Sequence, residues 1–298
     1  MKQDSQAEFE LYHYGESLCA QMVRIALAEK DIPYKSHAML LNEIAVKADN
    51  LTPEYLAINP HGIVPTLIHK GTPIFDSWEI IKYLDNAHPN QGPDLWPDDP
   101  SAQAAMDVWV SDVALRDDAK VGRTLGTAIP ILSAPIIQKC LKRQPFFHVM
   151  WKFRKHPRRD RAALFRLLRI RGLPRGLSAR AVKTIAQGLL RIERQLAKSG
   201  PFILGDFSQI DVMMMAHFHR MEDVALGDIF TSQHLPNFSA YWARLKQRPS
   251  YKAAVLDWHE DNWRAAIAQI WSGRPSAELP ALEKAVAQEV SGLSRKAA

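Results

Sequence analysis

The stretch from Asn59 to Ser77, NPHGIVPTLIHKGTPIFDS, leaves few folds open to this chain. Two apolar runs, Val64 to Ile68 and Ile74 to Phe75, flank a glycine-containing turn at Lys70-Gly71-Thr72, which is the pattern of a β-hairpin. Trp78, Ile80, Ile81 and Leu84 follow at helical spacing, so Asp76 and Ser77 stand where a helix begins. A helix start offers free backbone N–H groups and a partial positive charge, both suited to a carboxylate ligand. Pro65 removes one donor from the first strand, which leaves Val64 free to pair with an extended peptide, and the Val64-Pro65 bond is expected to be cis. Taken singly, these features have plainer readings: a Val-Pro punctuates loops, and an acid before a serine caps helices.

The residues before this stretch complete a recognisable order. Phe9 to Tyr14, FELYHY, alternates as a half-buried strand does. Met22, Val23, Ala26 and Leu27 share one face of a helix that starts at Leu18 and is stopped by Asp31-Ile32-Pro33, and Tyr34 to Met39 reads as a second strand. Strand, helix, strand, short helix, hairpin and helix predict a thioredoxin-like unit over residues 8–88. Cys19 falls in the first turn of the first helix, where the dipole and free N–H groups favour a thiolate. The alternative is a cysteine that packs as a small hydrophobe.

Two strings carry a family resemblance. The order N-P-x-G-x-V-P, hairpin, acid-Ser, helix resembles the glutathione site of cytosolic glutathione transferases. The string L-Y-H-Y-G-E-S-L-C-A-Q-M-V-R-I-A-L resembles the start of the cysteine-type members of that superfamily, the tetrachlorohydroquinone dehalogenases and the zeta-class maleylacetoacetate isomerases. The resemblance implies an α/β plus all-α architecture: a thioredoxin-like N-terminal domain, then a helical transferase C-terminal domain, in a homodimer. It implies glutathione as co-substrate, with its cysteinyl backbone on Val64 and Pro65, its γ-glutamyl carboxylate on Asp76 and Ser77, and its glycyl carboxylate near His61. Ser17 becomes the hydroxyl that stabilises the glutathione sulfur, Cys19 the nucleophilic thiol, and Arg24 a structural residue. Ala20-Gln21 departs from the Ser-Trp type pair of the zeta enzymes and weakens the isomerase reading. No Cys-x-x-Cys is present, so a disulfide formed by Cys19 needs a second glutathione to resolve it.

Beyond a Pro/Gly/Asp linker at 89–99, residues 100–272 are expected to form the helical domain. A helix from Ser101 to Gly122 would turn Trp109, Asp112 and Arg116 toward the groove between domains, as a second-substrate pocket. Residues 124–177 exceed what a compact transferase needs there, and form a long insertion. Fourteen Lys and Arg against one acid, Asp160, fall between Lys139 and Arg180, interleaved with Phe146, Phe147, Trp151, Phe153 and Phe165. That pattern suits an anionic membrane surface, nucleic acid, an acidic aromatic substrate, or a solvated excursion whose aromatics cover the second-substrate pocket. No nucleic-acid-binding motif accompanies the charge, so nucleic acid is not expected, and a weak contact with anionic membranes through residues 139–175 is kept open. Further on, a helix from Ser178 ends at Gly200-Pro201, and Ser208 with Asp211 forms a capping box before a buried helix, Val212 to His217. Pro236 to Tyr251 resembles the closing segment of the same family. Lys252 to Trp271 reads as an added amphipathic helix and 273–298 as a polar tail.

Length and apolar content, 298 residues and 47%, allow a two-domain core. MKQDSQAEFE holds no apolar centre for a signal peptide, and no run of about 18 apolar residues appears, so a soluble cytoplasmic protein is expected. Cys19 and Cys140 are expected as free thiols, and the 11 histidines show no paired spacing with cysteine that would imply a metal. The expected function is a glutathione-dependent transferase acting on an aromatic electrophile or its glutathione conjugate, by conjugation, reductive dehalogenation, ether cleavage or glutathione removal. The other class left open is a transferase-like protein that docks on a membrane or partner through its basic segment without catalysis.

Overall fold

Alternation in β1 (Phe9–His13) turns Phe9, Leu11 and His13 into the core of a four-stranded sheet. The structure, a computed structural model, describes residues 7–297. The leader reading of residues 1–6 and the last residue of the polar tail lie outside the described residues. After β1 come α1 (Leu18–Glu29), β2 (Tyr34–Ala38), a 3-10 turn at Asp49–Leu51, α2 (Pro53–Ile58), β3 (Thr66–His69), β4 (Thr72–Ile74) and α3 (Ser77–Ala87). The sheet order is β2-β1-β3-β4: β1 and β2 run parallel across α1, and β3 is antiparallel to both β1 and β4. The expected hairpin is therefore present, with its arms drawn closer to the turn: Thr66–His69 in place of Val64 to Ile68, and Thr72–Ile74 in place of Ile74 to Phe75.

The segment read as a linker is tied down by its polar groups. Asp85, near the end of α3, accepts from the backbone N–H of Leu95 (3.0 Å) and Trp96 (2.9 Å) and from the buried Lys30 ammonium (2.6 Å). Lys30 also donates to the carbonyl of Pro93 at 3.2 Å. A lysine and an aspartate out of water hold one another only because each also has these further hydrogen bonds.

The helical part comprises α4 (Pro100–Val113), α5 (Leu125–Ile131), α6 (Ala134–Arg143), α7 (Phe146–Arg154), α8 (Arg159–Arg171), α9 (Arg175–Ser199), α10 (Gln209–Asp223), α11 (Pro236–Lys246), α12 (Pro249–Ala254), α13 (Asp261–Trp271) and α14 (Leu279–Ala297). α10 is buried along nearly its whole length, and its start carries the expected capping box: Asp211 accepts from Ser208 N (2.9 Å), and from Tyr241 Oη (2.6 Å) besides. Arg24, on α1, is fully buried. It donates to the carbonyls of Gly15 (2.7 Å), Tyr14 (3.3 Å) and Ala254 (2.8 Å), so it fastens the end of β1 to α12.

Four sequence expectations change in the fold. The helix read over Lys252 to Trp271 is broken: α12 ends at Ala254, a 3-10 turn covers Leu256–Trp258, and α13 begins at Asp261. The helix read to Gly122 ends at Val113, because Gly126 of α5 sits against the carbonyls of Val113 and Ala114; a Cβ there would lie 2.4 and 2.2 Å from them. Asp112 also accepts from Leu125 N at 3.4 Å, so the chain must reverse at Ala114. Residues 124–177 are not a solvated excursion: α6, α7 and α8 enclose a small core of their own, Ala134, Leu141, Val149, Phe153, Phe165 and Leu168 among its members. The polar tail forms α14, which buries Leu282 and Val286 and packs along α9. Among the described residues no helix is long and apolar enough to cross a membrane.

Candidate active site

The starts of α1 and α3 converge at one edge of the sheet, and Cys19 and Ser77 meet there. Cys19 is the second residue of α1 and partly buried, and Ser77, whose hydroxyl donates to Met22 Sδ at 3.6 Å, lines the same cavity. Burial pushes the Cys19 thiol up, while the Ser77 hydroxyl and the positive charge of Arg161 act the other way. Burial thus works against the thiolate expected at this helix start. Ser17 is the N-cap of α1, its Oγ accepting from Ala20 N at 3.4 Å. A hydroxyl used as an acceptor in a cap still has its own hydrogen to donate toward a sulfur.

The Val64–Pro65 peptide is cis, as the sequence leads one to expect. The loop that carries it hangs from three buried polar side chains. Asn50 Nδ2 donates to the Gly62 carbonyl (2.8 Å), Asn59 Nδ2 to the Ile63 carbonyl (3.0 Å), and Tyr55 Oη to the same Ile63 carbonyl (2.5 Å). Gly62 has φ +61, and a Cβ on it would lie 3.1 Å from the Asn50 carbonyl, so only glycine fits the turn. Asn50 and Tyr55 were missed by sequence reasoning. Their signal is faint, since each looks like an ordinary polar or strand-compatible residue until the loop closes over it.

Asp76 occupies the N-cap position of α3 with φ 62, yet makes no cap hydrogen bond. The first-turn N–H groups of α3 are thus not satisfied by it, as an incoming carboxylate requires. Partial burial pushes the Asp76 carboxyl up, helped by the nearby carboxylates of Asp117 and Glu79, and opposed by His61 and Arg158. His61 is exposed and lines neither cavity described below; it reaches the site through its charge on Asp76.

A cavity of about 270 Å³ opens beside Cys19, Val64, Pro65, Asp76 and Ser77. A second, of about 130 Å³, lies on the other side of Cys19 and reaches Ser17, Glu16 and Tyr14. Cys19, Val64 and Arg161 border both. The far wall of the larger cavity is the 115–121 segment after α4, together with Ile131, Ile137, Leu164, Phe165 and Leu168. The segment read as an insertion therefore closes the pocket, with Phe165 as the aromatic that faces it.

Trp109 and Asp112 are corrected: neither lines the cavity. The Arg191 guanidinium covers the Trp109 ring at 3.7 Å and pairs with Asp112 at 3.2 Å, so both residues join α4 to α9. Arg116 does reach the rim, where it pairs with Asp118 at 3.0 Å. Two cations of the basic segment face the cavity. Arg158 is neutralised by Asp117 (2.7 Å) and Asp160 (2.8 Å), whereas Arg161 has, among the described residues, one acid as ion-pair partner, Glu43 at 3.5 Å, with the Phe165 ring 5.4 Å away. Arg161 is the residue of the site that sequence reasoning passed over within the run of fourteen.

The fold also gathers Glu16, His219 and His259, whose ligand atoms lie within 4.8 Å of one another. His259 Nδ1 is 3.2 Å from Glu16 Oε1, and the buried Arg220 guanidinium donates to the Glu16 carbonyl. Arg220 thus supplies a fixed positive charge against this group, which a metal cation would have to oppose.

Residues 11–92 match the family model described as glutathione S-transferase, N-terminal domain. Glutathione S-transferase Z1 of Arabidopsis thaliana is 33% identical over 44% of this chain and 58% of its own length. The first four curated relatives are covered over only 38 to 58% of their lengths. Glutathione S-transferase TCHQD of Arabidopsis thaliana aligns over 88% of this chain and 95% of its own, at 27% identity. Among solved structures, the β-etherase LigF from Sphingobium sp. strain SYK-6 has a TM-score of 0.72 at 20% identity, over 84% of this chain and 99% of that one. A theta-class glutathione S-transferase from Xanthomonas axonopodis pv. citri, with glutathione bound, has a TM-score of 0.60 at 20% identity, over 84% and 98%.

Proposed function

We propose that this chain is a glutathione transferase whose cleft binds glutathione and uses Cys19 to act on an aromatic electrophile or its glutathione conjugate, a reading supported by the match of residues 11–92 to the N-terminal domain of that family and by the 27% identity to a full-length relative. The observation that carries the reading is the place of Cys19: its thiol borders both cavities, between the cis-proline loop and the start of α3. The γ-glutamyl carboxylate takes the N–H groups and hydroxyl at Ser77, the γ-glutamyl ammonium faces Asp76, and the cysteinyl main chain pairs with Val64. The glutathione sulfur then lies against Cys19 and within reach of Ser17.

Two reactions are open to this arrangement. In the first, the glutathione thiolate attacks the electrophilic carbon of the second substrate and displaces its leaving group. In the second, the Cys19 thiolate attacks the sulfur of a glutathione thioether; the carbon–sulfur bond breaks, its electron pair leaves with the aryl-bearing carbon, which takes up a proton, and Cys19 remains in a mixed disulfide with glutathione. A second glutathione thiolate returns Cys19 to the free thiol and leaves as glutathione disulfide. The depth of the thiol beside an apolar cavity favours the second route, since the thiolate, once formed there, is poorly solvated and strongly nucleophilic.

The second substrate is an aromatic that carries a phenolate or carboxylate. Phe165, Leu164 and Leu168 offer the apolar wall, and Arg161, which borders both cavities and meets its acid only at 3.5 Å, the positive charge. Arg154 and Lys155, the other cations raised by the sequence, are exposed and do not line the cavity. A homodimer in the cytoplasm completes the reading, checked by sedimentation and by fractionation of the source cells.

The experiment is a mass measurement of the intact protein after incubation with oxidised glutathione, with peptide mapping. A glutathione adduct on Cys19, released by reduced glutathione, is the expected result. Cys19→Ser should abolish thioether cleavage while the protein still binds immobilised glutathione. If Cys19→Ser leaves both conjugation and cleavage intact, the cysteine has no part in the chemistry.

A further inference from the structure

Every Phe, Trp or Tyr that is exposed among the described residues belongs to one helix, α7: Phe146, Phe147 and Trp151. We propose that this face of α7 seats the protein on an anionic lipid surface. The helix has two sides. Val149 and Phe153 point into the small core beneath it, while Phe147 (85% exposed) and Trp151 (55%) stand one turn apart on the outside. Phe146 adds its edge to Phe147 at a ring distance of 5.5 Å. Aromatic side chains set side by side in water at this exposure mark a surface that something covers.

The charge around the rings states what that something is. Residues 134–155, spanning α6 and α7, contain no aspartate or glutamate. Arg154, Lys155 and Arg159 are exposed on α7 and just after it, and Lys142 is exposed at the end of α6. The Lys155 ammonium lies 4.2 Å from the Trp151 ring and the Arg169 guanidinium 5.6 Å from that of Phe146, so cations flank the aromatics directly. Rings that reach the boundary between headgroups and acyl chains, ringed by cations that meet anionic headgroups, are how an amphipathic helix lies on a bilayer. Single-stranded nucleic acid would match the charge, but proteins track it along a groove, and the rings of α7 line none of the cavities described above.

The surface is tested on the full chain with sucrose-loaded vesicles of phosphatidylcholine, with and without phosphatidylglycerol. The protein should sediment with the anionic vesicles alone and be released by high salt, since exposed charges are screened. The double variant Phe147→Ser/Trp151→Ser should lower partitioning about tenfold, as expected for two interfacial anchors, and retention on immobilised glutathione should not change. Because both side chains are exposed, this variant keeps the core of α7. Equal binding to neutral vesicles, no binding to either, or a double variant that partitions like its parent overturns the proposal. So does a concentration-dependent mass in sedimentation velocity that the double variant abolishes, without vesicle binding, which assigns the face to a second copy of the chain. Binding of an oligonucleotide in place of vesicles overturns it as well.

Discussion

Opposing influences on one thiol meet at Cys19. Desolvation holds the proton on, and Arg161 with the Ser77 hydroxyl works to take it off. Alkylation of Cys19 by iodoacetamide, followed on its own peptide to separate it from Cys140, should be slow at neutral pH and rise only above the ordinary thiol range, because the thiolate is the reactive form. In an Arg161→Gln variant the rise should move to still higher pH. The same substitution should raise KM for phenolate or carboxylate aromatics about tenfold, the loss of one charge-assisted contact of about 1.4 kcal/mol, and leave neutral aromatics nearly unaffected. Tyr55 acts at one remove from the chemistry, holding the Ile63 carbonyl and Thr66 Oγ1 (2.9 Å). Tyr55→Phe leaves both groups to the Asn59 amide alone (3.0 and 2.9 Å), and should cost about 1 kcal/mol in urea unfolding and weaken glutathione retention while turnover of bound substrate holds.

At the scale of elements, the cleft depends on where helices stop. α4 stops at Val113 so that residues 115–121 can form a rim, and the stop depends on Gly126 lying against two carbonyls. α10 starts where Asp211 says it does. Its carboxylate accepts from Ser208 N, Ser208 Oγ, Ile203 N and Tyr241 Oη, so four donors lose their partner together if it is removed. Asp211→Ala should therefore cost about 2–4 kcal/mol, the sum of a lost cap and of unpaired buried donors, read as a lower urea midpoint with an unchanged slope. Activity per folded molecule should stay as it is, since Asp211 lines neither cavity.

Across the whole molecule, charged side chains lock the sheet domain to the helices. Glu29 on α1 accepts a bidentate pair from Arg248 (2.6 and 2.5 Å), Arg24 reaches Ala254, and Lys30 with Asp85 pins the connection between the two halves. Replacing Asp85 by Ala strands a buried ammonium and should cost about 3–5 kcal/mol in unfolding free energy. The double variant Lys30→Met/Asp85→Leu should recover a large part of that loss, because it removes both charges at similar volume. A single change as costly as the double one would show that the carboxylate matters for the backbone of Leu95 and Trp96 rather than for the lysine.

What could be read without a structure was local. The period of Phe9 to Tyr14, the hairpin from Val64 to Phe75, the serine and cysteine at the start of α1 and the capping box of α10 each depend on residues a few positions apart, where backbone geometry and side-chain chemistry are coupled directly. Facing was legible only where a strong apolar stripe set it. Trp109 and Asp112 stood on a helix of the right length, but Arg191, far along the chain on α9, drew both to itself and away from the cavity. Arg161, one cation among fourteen, became part of the site because the core of α6, α7 and α8 folds its helix back over Cys19. Local pattern was enough to name the elements of the N-terminal half and the chemistry they can hold. Which segments of the helical half fold into helices, and which of their side chains face that chemistry, followed from tertiary contacts, because long-range packing, unlike helical or strand period, has no register that neighbouring residues can encode.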